Sequence, residues 1–235
     1  MRRFSLIFSI VLLVSFSYSL SYSADHTQAR VGMIGLQKQA CPAATSLLVG
    51  DSNTEGLWWN YVCGNTSGGW FINGGIGGTT VKEYLDVLPQ VLSQSTPSVV
   101  TVALGTNDAN AARVGSPDDL AWETNYTALI TALLAAGKKV TLFTIPPVEQ
   151  NKPLGEGYFL TSQIQRYNAH IRLTAQQRGL ALKDLYALWA NTQGFAASGS
   201  TTDGVHHTRA KQVAYYYQLE DAIRTMRATL GLTCP

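Results

Sequence analysis

From residue 45 onward, short runs of apolar residues alternate with longer segments whose apolar positions recur at three- and four-residue intervals. That alternation predicts βαβ units around a parallel sheet. The predicted strands are Ser46 to Val49, ending at Gly50; Trp70 to Ile72, ending at Asn73; Ser98 to Leu104, introduced by Pro97 and closed by Gly105; Val140 to Ile145, stopped by Pro146 and Pro147; and a shorter Leu180 to Leu182. Between them, Val81, Leu85, Leu88 and Leu92 mark a helix that Pro89 is expected to kink or end. The next helix has Ser116 as N-cap, Pro117 in its first position, Asp118 and Asp119 at the positive end of its dipole, and Gly137 as its stop. Ile164 to Arg178, followed by Gly179, forms another. The last runs from about Arg209 to Leu230 with Val213, Tyr217, Leu219, Ile223 and Met226 as its apolar members.

The first two dozen residues follow a different pattern. Arg2 and Arg3 precede an apolar stretch from Phe4 to about Tyr18, and small residues follow at Ser21, Ser23 and Ala24. This is the grammar of a secretory signal peptide, and the run falls short of the roughly 20 residues that span a bilayer. Residues 1–23 are therefore expected to be a signal peptide and residues 24–235 a single domain, with the mature protein secreted or periplasmic. No repeat, low-complexity tract or linker interrupts the mature region.

Composition narrows the picture little further. The 235 residues are 46% apolar and 14% charged, enough for one globular core. Seventeen Lys plus Arg against fifteen Asp plus Glu leave a net charge of +2 with no long charged run, which argues against a nucleic-acid partner. Cys41, Cys63 and Cys234 show no metal-binding spacing, and an oxidising compartment predicts one disulfide and one free thiol.

Candidate chemistry gathers at strand ends. Gly50-Asp51-Ser52-Asn53 follows the first strand, where a sharp turn exposes the Ser52 hydroxyl beside the free amides of a helix start. Taken alone, such a serine also reads as a helix cap. A hydroxyl needs a base, and the chain has four histidines. His26 lies beside the expected cleavage site and His170 sits within a helix, which leaves His206 and His207, with Asp203 three residues before His206. At the end of the third strand stands Gly105-Thr106-Asn107-Asp108, whose Asn107 amide could donate to a developing oxyanion. After the second strand comes Asn73-Gly74-Gly75-Ile76-Gly77-Gly78. A nucleotide-binding reading of its glycines fails because Thr80 stands where the third glycine is needed. The irregular stretches from Pro146 to Tyr158 and Thr192 to Thr202 are candidates for a substrate-facing rim.

Taken together and in order, Gly50-Asp51-Ser52, Asn73-x-Gly75-x-x-Gly78, Gly105-x-Asn107-Asp108 and Asp203-x-x-His206 resemble the blocks of the GDSL/SGNH hydrolases over about residues 45–230. The resemblance implies a flavodoxin-like three-layer α/β/α sandwich on a five-stranded parallel sheet. It implies Ser52 as nucleophile, His206 as base and Asp203 as the group orienting the base. The oxyanion hole would comprise the backbone N–H groups of Ser52 and Gly78 and the Asn107 amide, with Asp51 and Asp108 ordering the loops. It calls for no metal or other cofactor. The implied fold also brings Cys234 towards Cys41 and predicts that these two pair, leaving Cys63 free. Two positions depart from the family pattern: Asn53 replaces the usual apolar residue after the serine, and His207 replaces a frequent proline after the histidine. His207 accordingly stays open as an alternative base.

The resemblance implies a small-molecule or glycan ester as substrate. Secretion favours acetyl esters on extracellular polysaccharide, with longer lipid acyl esters as the alternative. Trp58, Trp59 and Trp70 are candidates for a sugar-stacking or acyl-binding wall, although aromatic residues after the first loop are more often core. A non-catalytic glycan-binding module on the same fold is disfavoured by the presence of Ser52, Asp203 and His206 together.

Overall fold

A computed structural model describes residues 26–34, 46–57, 64–66, 69–94 and 97–231. In chain order its elements are α1 (residues 26–34), β1 (Ser46–Gly50), α2 (Ser52–Glu55), β2 (Gly64–Thr66), β3 (Gly69–Gly75), α3 (Val81–Gln94), β4 (Val99–Ala103), α4 (Pro117–Leu120), α5 (Trp122–Ala135), β5 (Lys139–Phe143), α6 (Thr161–Arg178), β6 (Ala181–Lys183), α7 (Leu185–Trp189) and α8 (Arg209–Thr229). Residues 1–25 and all three cysteines lie outside the described residues, and with them the expected signal peptide and disulfide. Trp58 and Trp59 also lie outside, and the Trp70 side chain is not described.

The sheet order is β2-β3-β1-β4-β5-β6. The five strands from β3 to β6 run parallel, as the sequence pattern predicts, and crossover connections join them in the doubly wound manner. The sixth, β2, is an addition to that pattern: it pairs antiparallel with β3 and closes one edge as a short hairpin. Its sequence, Gly-Asn-Thr, carries no apolar alternation from which a strand could be read.

Side chains from the two faces of the central strands feed two cores. On β1, Leu47 and Val49 join a large cluster with α1, α3, α5 and α6, whereas Leu48 joins Phe71, Phe143, Leu185, Tyr215, Leu219 and Ile223 beneath α7 and α8. That division makes the three-layer sandwich. Within the large core Trp122 stacks between Tyr126 and Tyr167 at centroid distances of 5.0 and 4.0 Å, contacts worth about 1 kcal/mol each beyond their burial.

Three local expectations are corrected. Helix α3 does not end at Pro89 but continues to Gln94; Pro89 lies on the exposed side, where water can reach the carbonyl its missing N–H leaves unpaired. The segment after Ser116 is two helices, α4 and α5, divided at Ala121; Ser116 does cap the first, its Oγ accepting from the Asp119 amide. On α8 the buried face carries Tyr215, Leu219, Ala222 and Ile223, while Val213 and Tyr217 are exposed.

The segment before β1 contributes a tie that no local sequence pattern announces. Arg30 of α1 is buried, donates to the Gly75 carbonyl through Nε and Nη2 at 3.2 and 2.9 Å, and pairs with Glu55 at 2.8 Å. It thus binds α1 to the end of β3 and to α2, next to the candidate nucleophile.

Candidate active site

The carboxyl ends of the central parallel strands deliver the predicted loops to one place, as expected for an open α/β sheet. Gly50 is in register with Gly75 on β3 and with Ala103 on β4, so the turns after these strands lie side by side. After β1 the chain turns directly into α2. Asp51 is the N-cap, its Oδ1 accepting from the Asn53 amide at 3.0 Å, so Ser52 occupies the first position of the helix. Gly75 permits the close approach of β3 to this turn, since a Cβ there would stand 2.2 Å from the Glu55 nitrogen.

From the other end of the chain, the loop before α8 brings His206 to Ser52. His206 Nε2 lies 3.0 Å from Ser52 Oγ, and His206 Nδ1 lies 2.6 Å from Asp203 Oδ2. Asp203 Oδ1 also accepts from the amides of Val205 and His206, at 3.1 and 2.9 Å. Burial works to raise the Asp203 pKa, but the hydrogen bonds from the His206 ring and these two amides prevail and hold the carboxyl below the ordinary aspartate range. A hydroxyl facing an imidazole whose far nitrogen meets a carboxylate is the arrangement by which a serine can be made nucleophilic.

His207 is not placed as a base. Its ring is buried edge-on to Trp189 and Tyr215, and its Nδ1 has no hydrogen-bond partner among the described residues. Burial, reinforced by Lys211 and His206 nearby, pushes its pKa down to about 3, so the ring is a neutral packing element. His170 is likewise structural, lying edge-on to Trp122 with its Nε2 3.1 Å from Thr127 Oγ1.

The loops that carry the other two candidate donors, Gly78 and Asn107, touch each other. Asn107 Nδ2 donates to the Thr79 carbonyl at 3.1 Å, which fixes the amide against the loop that carries Gly78. Gly78 has φ +75°, a left-handed conformation that favours glycine. Asp51 and Asp108 order these loops, as the resemblance implies. Asp51 is buried and accepts from Thr106 as well as from the Asn53 amide, and burial raises its pKa. Asp108 is also buried, and both its oxygens face the Val81 amide, at 3.2 and 3.1 Å, at the start of α3.

Burial pushes the Asp108 pKa from 3.8 up to about 7, against the lowering effect of the Val81 amide and of Arg113. The folded chain therefore retains a proton there that the unfolded chain has released. The stabilisation is fully present below the unfolded value and is lost as pH rises through the folded one. Asp108→Asn keeps an acceptor for the Val81 amide without the charge. Its stability relative to the parent is expected to improve by up to about 4 kcal/mol between pH 4 and pH 8. Urea melts across that range provide the check, and a difference independent of pH would contradict the assignment.

Glu149 is a further residue that the sequence pattern does not single out. This buried carboxylate accepts from the Gly199 and Thr201 amides at 2.8 and 3.0 Å and from Thr201 Oγ1 at 2.7 Å. Burial favours its neutral form, but these hydrogen bonds prevail and hold its pKa below the ordinary glutamate range. Its own amide donates to the Gly204 carbonyl, and the Leu154 amide donates to Asp203 O, at 2.9 and 2.7 Å. The two stretches read as a substrate rim are thus cross-tied, and part of their role is to support the loop that carries Asp203 and His206. The partners lie about fifty residues apart, so no local signal could have found them.

The fold is a three-layer, doubly wound α/β sandwich, with the polar centre of the candidate site at the carboxyl edge of its sheet. The chain belongs to the GDSL-like Lipase/Acylhydrolase family, whose model matches residues 48–212, and membership implies ester hydrolase activity on small-molecule esters. Among solved structures, the chain is similar to a Streptococcus pneumonia protein at 19% identity and a TM-score of 0.73, with 90% of this chain and 99% of that one covered. It is similar to the acetyl xylan esterase AlAXEase at 25% identity and a TM-score of 0.57, with 75% and 98% covered. It is also similar to the inhibitor-bound aryl esterase of M. Smegmatis at 18% identity and a TM-score of 0.60, with 78% and 100% covered. Comparison with curated protein sequences finds no match. No helix among the described residues is long and apolar enough to cross a membrane.

Proposed function

We propose that this chain is a secreted serine esterase that removes short acyl groups, acetyl above all, from esters borne on carbohydrate. The observation that carries the reading is the continuous line from Ser52 Oγ through His206 to Asp203, with steps of 3.0 and 2.6 Å. Ser52 Oγ attacks the ester carbonyl as His206 Nε2 takes its proton, and the oxyanion is held by the amides of Ser52 and Gly78 and by Asn107 Nδ2. Collapse of the tetrahedral intermediate expels the alkoxide, which takes the proton from His206 and leaves an acyl-Ser52. Water, deprotonated by His206, then attacks the acyl group and regenerates the serine. Throughout, Asp203 accepts from Nδ1–H, orients the ring and stabilises the imidazolium.

The acetyl preference is supported by the likeness to an acetyl xylan esterase, and export by the leader-like N-terminus. The experiment is a series of p-nitrophenyl esters from acetyl to palmitoyl. Turnover is expected to be greatest for acetyl and to fall by about tenfold or more by octanoyl, since a pocket shaped for a short acyl group rejects added methylenes by about 1–3 kcal/mol each where they do not fit. A maximum at long chains would instead mark a lipid acylhydrolase.

A further inference from the structure

Asn53 stands next to the candidate nucleophile, is buried, and is not accounted for by the chemistry of Ser52, His206 and Asp203. Its side chain reaches across 152 residues of sequence to the loop before α8. There Nδ2 donates to the Val205 carbonyl at 3.2 Å, and Oδ1 accepts from the His207 amide at 3.1 Å. The two bonds bracket His206 on both sides. We propose that Asn53 is a positioning residue that clamps the His206 backbone to the nucleophile turn and so fixes the distance between imidazole and serine.

The backbone groups from the Val205 amide to the His207 amide all have partners. The amides of Val205 and His206 donate to Asp203 Oδ1, and the His206 carbonyl accepts from the Thr202 amide at 2.8 Å. Asn53 supplies the partners of the two remaining groups, the Val205 carbonyl and the His207 amide. A planar amide is suited to this, because it presents one acceptor and donors on a single rigid group. Asn53 is itself held, its backbone N–H donating to the Asp51 cap. The result is a closed circuit: Ser52 to Asn53 through the peptide bond, Asn53 to the flanks of His206 through hydrogen bonds, and His206 back to Ser52 Oγ.

The two departures from the family pattern are thereby linked. A proline after the histidine would fix the local φ but has no N–H to offer an acceptor. With His207 there, the freed amide needs a partner in this buried place, and an apolar residue at position 53 could not be one. Asparagine and histidine together do by hydrogen bonding what proline does by ring constraint.

The inference rests on the proposed roles of Ser52 and His206, and the test separates the two. In the full chain, Asn53→Leu keeps the side-chain size and removes both bonds. Turnover of p-nitrophenyl acetate is counted per active site titrated by a fluorophosphonate, so that only folded, competent molecules enter. A loss of kcat of about tenfold to a hundredfold is expected, with KM within about twofold, because misplacing a base by a fraction of an ångström acts on the transition state rather than on binding. The downfield proton resonance of the imidazole bonded to Asp203 is expected to shift or broaden as the ring loses its fixed seat. If Ser52→Ala is inactive while Asn53→Leu keeps kcat within twofold and only melts earlier, the clamp is overturned and the esterase reading stands. Undiminished turnover in Ser52→Ala overturns both.

Discussion

Ser52→Ala is expected to abolish hydrolysis of p-nitrophenyl acetate, with kcat falling on the order of 10⁴-fold or more, while the melting temperature stays at or slightly above that of the parent. The variant loses the attacking oxygen and keeps the proposed oxyanion donors, which is why a small residual rate over water is expected. Stability is spared because the substitution removes one hydrogen bond, that between Oγ and His206 Nε2. His206→Ala is expected to cost a similar factor, and Ser52→Ala/His206→Ala little more than either alone, since the two act as a unit. Undiminished turnover in the serine variant would end the proposal.

Asp203→Asn is expected to lower kcat by about 10⁴-fold with the loop still in place. Asp203 Oδ1 is occupied by the amides of Val205 and His206, so the asparagine oxygen takes that position and its NH₂ turns to His206 Nδ1. A donor there forces the ring to carry its proton on Nε2, facing Ser52, where it can no longer accept one. The same substitution gives a second readout. Because Asp203 titrates below its ordinary range, it contributes stability above the unfolded pKa that disappears as pH falls through the folded value. The variant is therefore expected to show a shallower acid-side loss of stability than the parent. Turnover within tenfold of the parent would show that the ring is oriented by something else.

How much of this is legible in the sequence varies with the physics of each part. The inner strands announce themselves because β1, β4 and β5 are short apolar runs cut off by glycine or proline, and such runs have few other ways to fold. The edge strand β2 is three small or polar residues whose only reason to be a strand is the neighbour it pairs with. Pro89 carries a local cost that argues for a helix end, and its exposed position on α3 makes that cost tolerable. On α8, apolar residues on several faces leave the buried stripe ambiguous until the sheet selects Tyr215, Leu219 and Ile223.

The site divides the same way. Ser52, Asp203 and His206 stand out because each sits in a short pattern whose residue types have chemical meaning. The roles of Asn53, Glu149 and Arg30 do not, because each acts through partners about 25 to 154 residues away. Between His206 and His207, the three-residue spacing to Asp203 favours His206 but leaves His207 open, and the burial of the His207 ring against Trp189 and Tyr215 is not visible in that spacing.

Ser52 stands at the end of the first strand, and the imidazole it faces enters the chain 154 residues later. A growing or refolding chain therefore holds, for most of its length, a hydroxyl with no base beside it. Closure of the site must await the docking of the loop before α8, a pairing that spans 154 residues. On the proposed chemistry the protein is inert until its topology is complete, and the return of esterase activity after denaturation times the docking of that final loop rather than the collapse of the core.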